Sequence, residues 1–165
     1  MDNNSTTMIS YRVIDNNEPQ ETLDSIASLF REMYEFMQDK GMQLSMVQGG
    51  EQTWISTASR LPGKMNHIVV AEDENIVGFA HGNIRLAPDH LGGVKTGFIS
   101  HVYVQEGYRE QGIASKLADM LIESLKAAGA RHFELEVLVM NQQAINFWQK
   151  KGFKKELYRM SKSSV

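Results

Sequence analysis

The spacing of apolar positions changes several times along the chain, and each change marks an element. Residues 11–14 read as a short strand. A polar break follows, and Pro19 suits a first helical turn. Leu23, Ile26, Ala27, Phe30, Met33, Tyr34 and Met37 then recur at three- and four-residue spacing, which predicts an amphipathic helix over 19–38. Its methionine and aromatic stripe is what a core-facing helix carries. Residues 41–50 read as loop. Trp54, Ile55, Ala58 and Leu61 predict a second short helix, stopped by Pro62 and Gly63.

The period then shortens. Residues 67–72 and 76–86 read as two strands joined by the polar turn Asp73-Glu74-Asn75, a hairpin. A loop over 87–93 leads to a strand over 95–104. Ile113, Leu117, Met120, Leu121 and Leu125 lie on one helical face, and Gly129 suits the position after that helix. Phe133, Leu135, Val137 and Val139 share one face of a strand over 131–139. Asn141 caps a further helix running to about 151, with Ala144, Phe147 and Trp148 inward and Gly152 at its end. Residues 153–160 are expected to form a last strand, followed by a frayed end. The order β-α-α-β-β-β-α-β-α-β predicts one mixed α/β (α+β) domain over 1–165, with a core over about 10–160. Strand, crossover helix and strand over 98–139 make a parallel pair, and the earlier strands are antiparallel.

Composition adds mainly exclusions. Apolar residues are 42% and charged residues 22%, ordinary values for a globular protein. The net charge of −3 disfavours nucleic acid and favours a cationic substrate. With no cysteine there is no disulfide, thiolate nucleophile or cysteine metal site. The five histidines lack metal-ligand spacing, so no metal is expected. The polar start MDNNSTTM lacks the apolar core of a signal peptide, and no apolar run is long enough for a membrane span. The expectation is a cytoplasmic protein with no membrane partner.

The segment Arg109-Glu110-Gln111-Gly112-Ile113-Ala114 lies where a strand hands over to a helix. Backbone N–H groups at a helix start have no intrahelical acceptor, and the helix dipole adds positive potential. Such a loop suits a phosphate or pyrophosphate. It is neither a Walker A loop nor a G-x-G-x-x-G dinucleotide loop.

Taken in order, Val102-Tyr103-Val104, Tyr108 to Ala114, Asn141, Ala144, Phe147-Trp148 and Gly152-Phe153 resemble the Gcn5-related N-acetyltransferases (GNAT), as does the hairpin VVAEDENIVGFAHG. The resemblance covers residues 10–160. It implies acetyl-CoA (coenzyme A) as co-substrate, with the pyrophosphate on the backbone from Arg109, Glu110, Gln111, Gly112, Ile113 and Ala114 to Ser115. It implies that the backbone of Val102 and Val104, either side of Tyr103, pairs with the pantetheine arm in a gap between splayed strands. Asn141 would hold that arm, Ala144, Phe147 and Trp148 would belong to the cofactor segment, and Lys150 could reach a CoA phosphate.

The implied reaction needs an amine deprotonated and a thiolate protonated. Glu136, five residues before Asn141, is one candidate base, and His101 is the other. Many members of the family carry a tyrosine where this chain has Trp148, whose indole is no acid in this range. Tyr103, Tyr108 and Tyr158 are the replacements available, none marked out by spacing; alternatively, solvent protonates the thiolate. The resemblance implies direct transfer to a primary amine of a small molecule or peptide, by a monomer or homodimer. A fold that binds acyl-CoA without catalysis, as sensor or partner domain, is the alternative. Glu32, Glu35 and Asp39 on the first helix could favour a cationic acceptor.

Overall fold

The computed structural model describes residues 8–164. The stretch 1–7, most of the polar start read above, lies outside them. Five strands run in the spatial order β1-β2-β3-β4-β5: β1 (Ser10–Val13), β2 (Asn66–Asp73), β3 (Asn75–Leu86), β4 (Lys95–Val104) and β5 (His132–Leu135). The first three pairings are antiparallel and β4–β5 is parallel. Helices α1 (Gln20–Asp39) and α2 (Gly50–Ala58) cover one face. Helix α3 (Ile113–Ala127) covers the other, with α4 (Gln142–Lys150) packed beside it. The mixed α+β sandwich is the expected one.

Each face has its own core. Ile68, Val70 and Phe79 meet Ile26, Leu29, Phe30 and Met33 of α1. Val69, Ala71, Ala80 and Ile99 meet Leu117, Leu121 and Leu125 of α3. Alternate strand residues therefore serve opposite layers, and the central strands are apolar on both sides. Gly82 and Gly97 let α3 approach closely. A Cβ on Gly82 would lie 2.8 Å from the Phe98 carbonyl oxygen, and one on Gly97 would lie 2.9 Å from the Phe133 ring.

One irregularity positions the site. In the β3–β4 ladder His81 pairs with His101, but Gly82 pairs with Ile99, so Ser100 is an extra residue. This β-bulge reverses the alternation of β4. Ile99 faces α3, and beyond the bulge Val102 and Val104 face α3 while His101 and Tyr103 face α1. The β4–β5 ladder ends at the same point, with Ile99 against Leu135.

Three expectations are corrected. The strand expected over 131–139 ends at Leu135, because β4 and β5 part there and nothing else pairs with 136–139. The strand expected over 153–160 does not form. Lys154, Lys155 and Glu156 put charge on both faces of that segment, and only Phe153 finds a core partner, Trp148. Leu157, Tyr158 and Met160 remain exposed. The second helix begins at Gly50 behind a left-handed Gly49, and it ends at Ala58, short of Leu61, which is itself left-handed (φ 48°).

Candidate active site

Two mouths open onto the gap between β4 and the segment after β5. On the α3 side, β4 ends at Val104, a single 3-10 turn spans Glu106–Tyr108, and the chain then enters α3. Glu110 (φ 62°) and Gly112 (φ 78°) are both left-handed, a turn geometry in which successive N–H groups can converge on an anion, as in a nest. The first N–H of this turn to find a carbonyl is Lys116, on Gly112 at 3.1 Å. The N–H groups of Gln111, Gly112, Ile113, Ala114 and Ser115 have no backbone acceptor among the described residues. A Cβ on Gly112 would meet nothing within 4 Å, so the space outside the nest is open.

Two cations flank this turn. Arg109 donates from Nε to the Val104 carbonyl at 2.9 Å, and its guanidinium lies 5.4 Å from the rings of Tyr103 and Phe36. It thereby occupies one backbone acceptor of the β4 edge that the resemblance assigns to the cofactor arm. Lys151 donates to Ser115 Oγ at 2.8 Å and to Asp119 Oδ1 at 2.6 Å. The lysine beside the anion turn is thus Lys151, while Lys150, named from the sequence, is exposed on α4. Only the turn of the last helix decides between two adjacent lysines, and no sequence signal separated them.

Asn141 caps α4, its Oδ1 accepting from the Ala144 N–H at 3.2 Å. Phe147 packs edge-on against Trp148 at 4.8 Å. Trp148 is 8% exposed, wedged between Phe147 and Phe153, and so belongs to the core. Val102 and Tyr103 are half-buried, and Val104 is buried.

The second mouth lies under α1. Here β4 presents His101 and Tyr103. The Tyr103 hydroxyl and the Gln105 amide each lie 3.5 Å from the Glu32 carboxylate. Burial, then the Glu32 charge, raises the Tyr103 phenol, so it stays protonated at neutral pH. Tyr108 donates to Asp73 at 2.9 Å, and Tyr158 is exposed. The carboxyl end of α1 also reaches the far side of the gap, since a Cβ on Gly41 would lie 3.3 Å from Met140 Sδ.

His101 lies on β4 two residues beyond the last β4–β5 pair, with its ring turned toward α1 and α2. Phe30 and Trp54 meet its ring edge-on at 5.1 and 5.7 Å, and His81 stacks against it at 5.7 Å and 15°. Burial pushes His101 down to about 4; burial and the two neighbouring histidines push His81 down to about 3. Both are neutral at pH 7. Glu136 lies farther out, 60% exposed, its Oε2 accepting from Arg159 at 2.8 Å. The structure therefore separates the two candidate bases. His81 was missed because its partnership with His101 depends on the cross-strand register.

Among the described residues no group of His, Asp and Glu could hold a metal ion, and no helix is long and apolar enough to cross a membrane. A splayed parallel pair with unpaired backbone N–H groups at the start of its crossover helix is an arrangement suited to an anionic group, within a mixed α+β fold. The sequence profile of the acetyltransferase (GNAT) family matches residues 23–153, and the chain belongs to that family. It is 38% identical over 72 residues to N-alpha-acetyltransferase 30 of Schizosaccharomyces pombe, a match spanning 42% of this chain and about half (48%) of that relative's length. An aminoglycoside N-acetyltransferase solved in complex with CoA superposes with a TM-score of 0.75 at 14% identity, covering 95% of each chain. An acetyltransferase of Trypanosoma brucei gives 0.69 at 24%, over 95% of this chain and 100% of that one. Glucosamine-6-phosphate N-acetyltransferase of Arabidopsis thaliana gives 0.63 at 18%, over 94% and 98%. At these identities the likeness to solved structures is one of fold.

Proposed function

We propose that this protein is an acetyl-CoA-dependent N-acetyltransferase that passes the acetyl group directly to a primary amine of a small molecule or peptide. The observation that carries this reading is the turn over 110–115, whose N–H groups lack backbone acceptors, beside the stretch of β4 that is free of β5 and carries His101. Acetyl-CoA supplies an electrophilic thioester carbonyl and a thiolate leaving group. The nest N–H groups suit its pyrophosphate, and Lys151 is placed to offset phosphate charge once it leaves Asp119. Asn141 Nδ2 remains free for the pantetheine arm while Oδ1 caps the helix.

In this reading His101 takes the proton from the attacking amine. Position, not basicity, favours it over Glu136: His101 stands on β4 where that strand is free of β5, whereas the Glu136 carboxylate is exposed and already paired with Arg159. Burial lowers the imidazole to about 4, so it takes the proton only as the C–N bond forms and the amine nitrogen becomes acidic. Tyr103 is the tyrosine that stands on the free stretch of β4, and it is the proposed proton donor to the thiolate. Glu32 gives the acceptor mouth a negative charge that favours an ammonium. With no cysteine in the chain, no acyl-cysteine forms.

The test is free CoA release from acetyl-CoA across a panel of amines between pH 6 and 9, beside calorimetry with CoA. Micromolar CoA binding with amine-dependent release is expected. Binding without turnover on any amine would leave a non-catalytic acyl-CoA-binding domain, and absence of binding would remove the cofactor site itself.

A further inference from the structure

Beneath α1 and α2, two imidazoles share an aromatic enclosure and each keeps one polar atom unsatisfied. His81 is 5% exposed and His101 is partly buried. Nδ1 of each is sealed from solvent and has no protein partner. The rings are nearly parallel, and Trp54 meets both edge-on, at 5.5 Å from His81 and 5.7 Å from His101. Leaving two buried ring nitrogens unpaired costs about 1–3 kcal/mol each. The His81 Nε2 lies 3.4 Å from Asn66 Oδ1, an oxygen that can only accept. This long contact favours the tautomer with the His81 proton on Nε2 and a lone pair on Nδ1. The amide orientation is firm because Asn66 Nδ2 donates to the Arg60 carbonyl at 2.9 Å.

We infer that His81 is a positioning residue that fixes the tautomer of His101 through one buried water shared by the two Nδ1 atoms. The water donates one hydrogen to the His81 lone pair and accepts from His101 Nδ1–H. A buried water needs two to four polar partners, and these two nitrogens supply two. His101 then holds its proton on Nδ1 and turns a lone pair on Nε2 outward. Among the described residues that Nε2 has no hydrogen-bond partner, and unlike Nδ1 it is not sealed from solvent. The direction runs inward from the reacting amine: His101 Nε2, His101 Nδ1–H, water, His81 Nδ1, His81 Nε2–H, Asn66 Oδ1, and last the Arg60 carbonyl, which accepts from the Asn66 amide. Both imidazoles are neutral at pH 7, as the shared water requires, because burial holds them well below the ordinary histidine value. The inference rests on the acetyltransferase reading for the use of the lone pair, but the tautomers themselves exist with or without catalysis.

The experiment is two-bond 1H–15N correlation NMR of histidine-labelled protein at pH 7, which reads each ring's protonated nitrogen directly. Nδ1–H on His101 and Nε2–H on His81 are expected. Nε2–H on His101 in the wild-type protein would overturn the inference. The second arm is His81→Phe, which keeps the aromatic packing and removes the acceptor, with His81→Leu as the smaller alternative should the first misfold. Either variant should shift His101 toward the Nε2–H form and lower kcat roughly 10- to 100-fold, with KM for acetyl-CoA within twofold. An unchanged His101 tautomer in a folded variant would refute the coupling. The expected tautomers with no acetyl transfer would leave the inference standing and sink the activity.

Discussion

Gly112 offers the clearest separation of folding from cofactor binding. It caps α3 at φ 78° and ψ 6°, where an L side chain costs about 1–2 kcal/mol. A Cβ there touches nothing within 4 Å, so Gly112→Ala adds that strain and no clash. At roughly 2–4 °C per kcal/mol for a chain of this length, its Tm should fall by about 2–8 °C. Binding should suffer far more. In the proposed complex the pyrophosphate packs against this turn, so a side chain at 112 competes with it, and hydrogen bonds to a charged phosphate contribute about 1.5–3 kcal/mol each. Losing one such bond raises the CoA Kd about 10- to 150-fold. Gly112→Glu adds charge repulsion and should bring binding below detection. Gly107→Ala is the matched control: its surroundings are equally open and its φ is not positive, so neither Tm nor Kd should move. Calorimetry with CoA and thermal melts on the three variants decide the matter. A Gly112→Glu protein that melts near Gly112→Ala yet binds CoA within twofold of wild type would refute the nest as the phosphate site.

Other perturbations follow from the same geometry. His101→Gln should lower kcat by about 10²-fold or more, whereas Glu136→Gln, at an exposed pair with Arg159, should change kcat less than twofold; steady-state kinetics reversing that order would exchange the two roles. Lys151→Ala should weaken CoA binding about tenfold, the scale of one charge-assisted contact, and Lys150→Ala should leave it within twofold by calorimetry. Stability should fall on acidification. His81 and His101 titrate in the folded state at about 3 and about 4, below the unfolded value of about 6.5, so below pH 6.5 the unfolded chain takes protons that the folded chain refuses. Each group then removes about 2 kcal/mol by pH 5; a pH 7 to 5 series of melts should show this, with a smaller drop in folded His81→Phe. Limited trypsin digestion should cut first after Lys154, Lys155 or Arg159, since that segment has no ladder; resistance there would contradict its irregular structure.

Much of this architecture is legible in the residues. The period of apolar positions placed α1, α3 and the β2–β3 hairpin close to their observed bounds, because each buries a single continuous stripe or a fully apolar strand. The anion turn was legible for a different reason: Gly112 sits where a strand ends and a helix starts, and that context is local. What could not be read were contacts between distant segments. Residues 136–139 alternate like a strand, yet they lack a neighbour once β4 and β5 part. Phe153 to Met160 alternates weakly, and its charges leave it without a partner. The pairing of His81 with His101, the reach of Lys151 rather than Lys150, and the Glu32 contact to Tyr103 all depend on register or helix phase that no single segment encodes.

The Ser100 bulge ties these points together. With uninterrupted alternation, His101 would follow Ile99 onto the α3 face and pack against the leucines of the crossover helix. Val102 would then face α1, and the charged mouth under Glu32 would have no imidazole behind it. One inserted residue exchanges the two sets: apolar Val102 and Val104 remain with the α3 core, and His101 and Tyr103 turn toward α1. The ladder to β5 stops at the same register, opposite Leu135. A bulge raises local twist and leaves backbone groups unpaired, so it both re-aims the His101 side chain and accompanies the opening between β4 and the chain after β5. Face and gap are thereby set by one backbone feature. This is why His101, unremarkable as a lone histidine in a strand, becomes a stronger base candidate than Glu136, whose position follows regular alternation and leads it out to solvent.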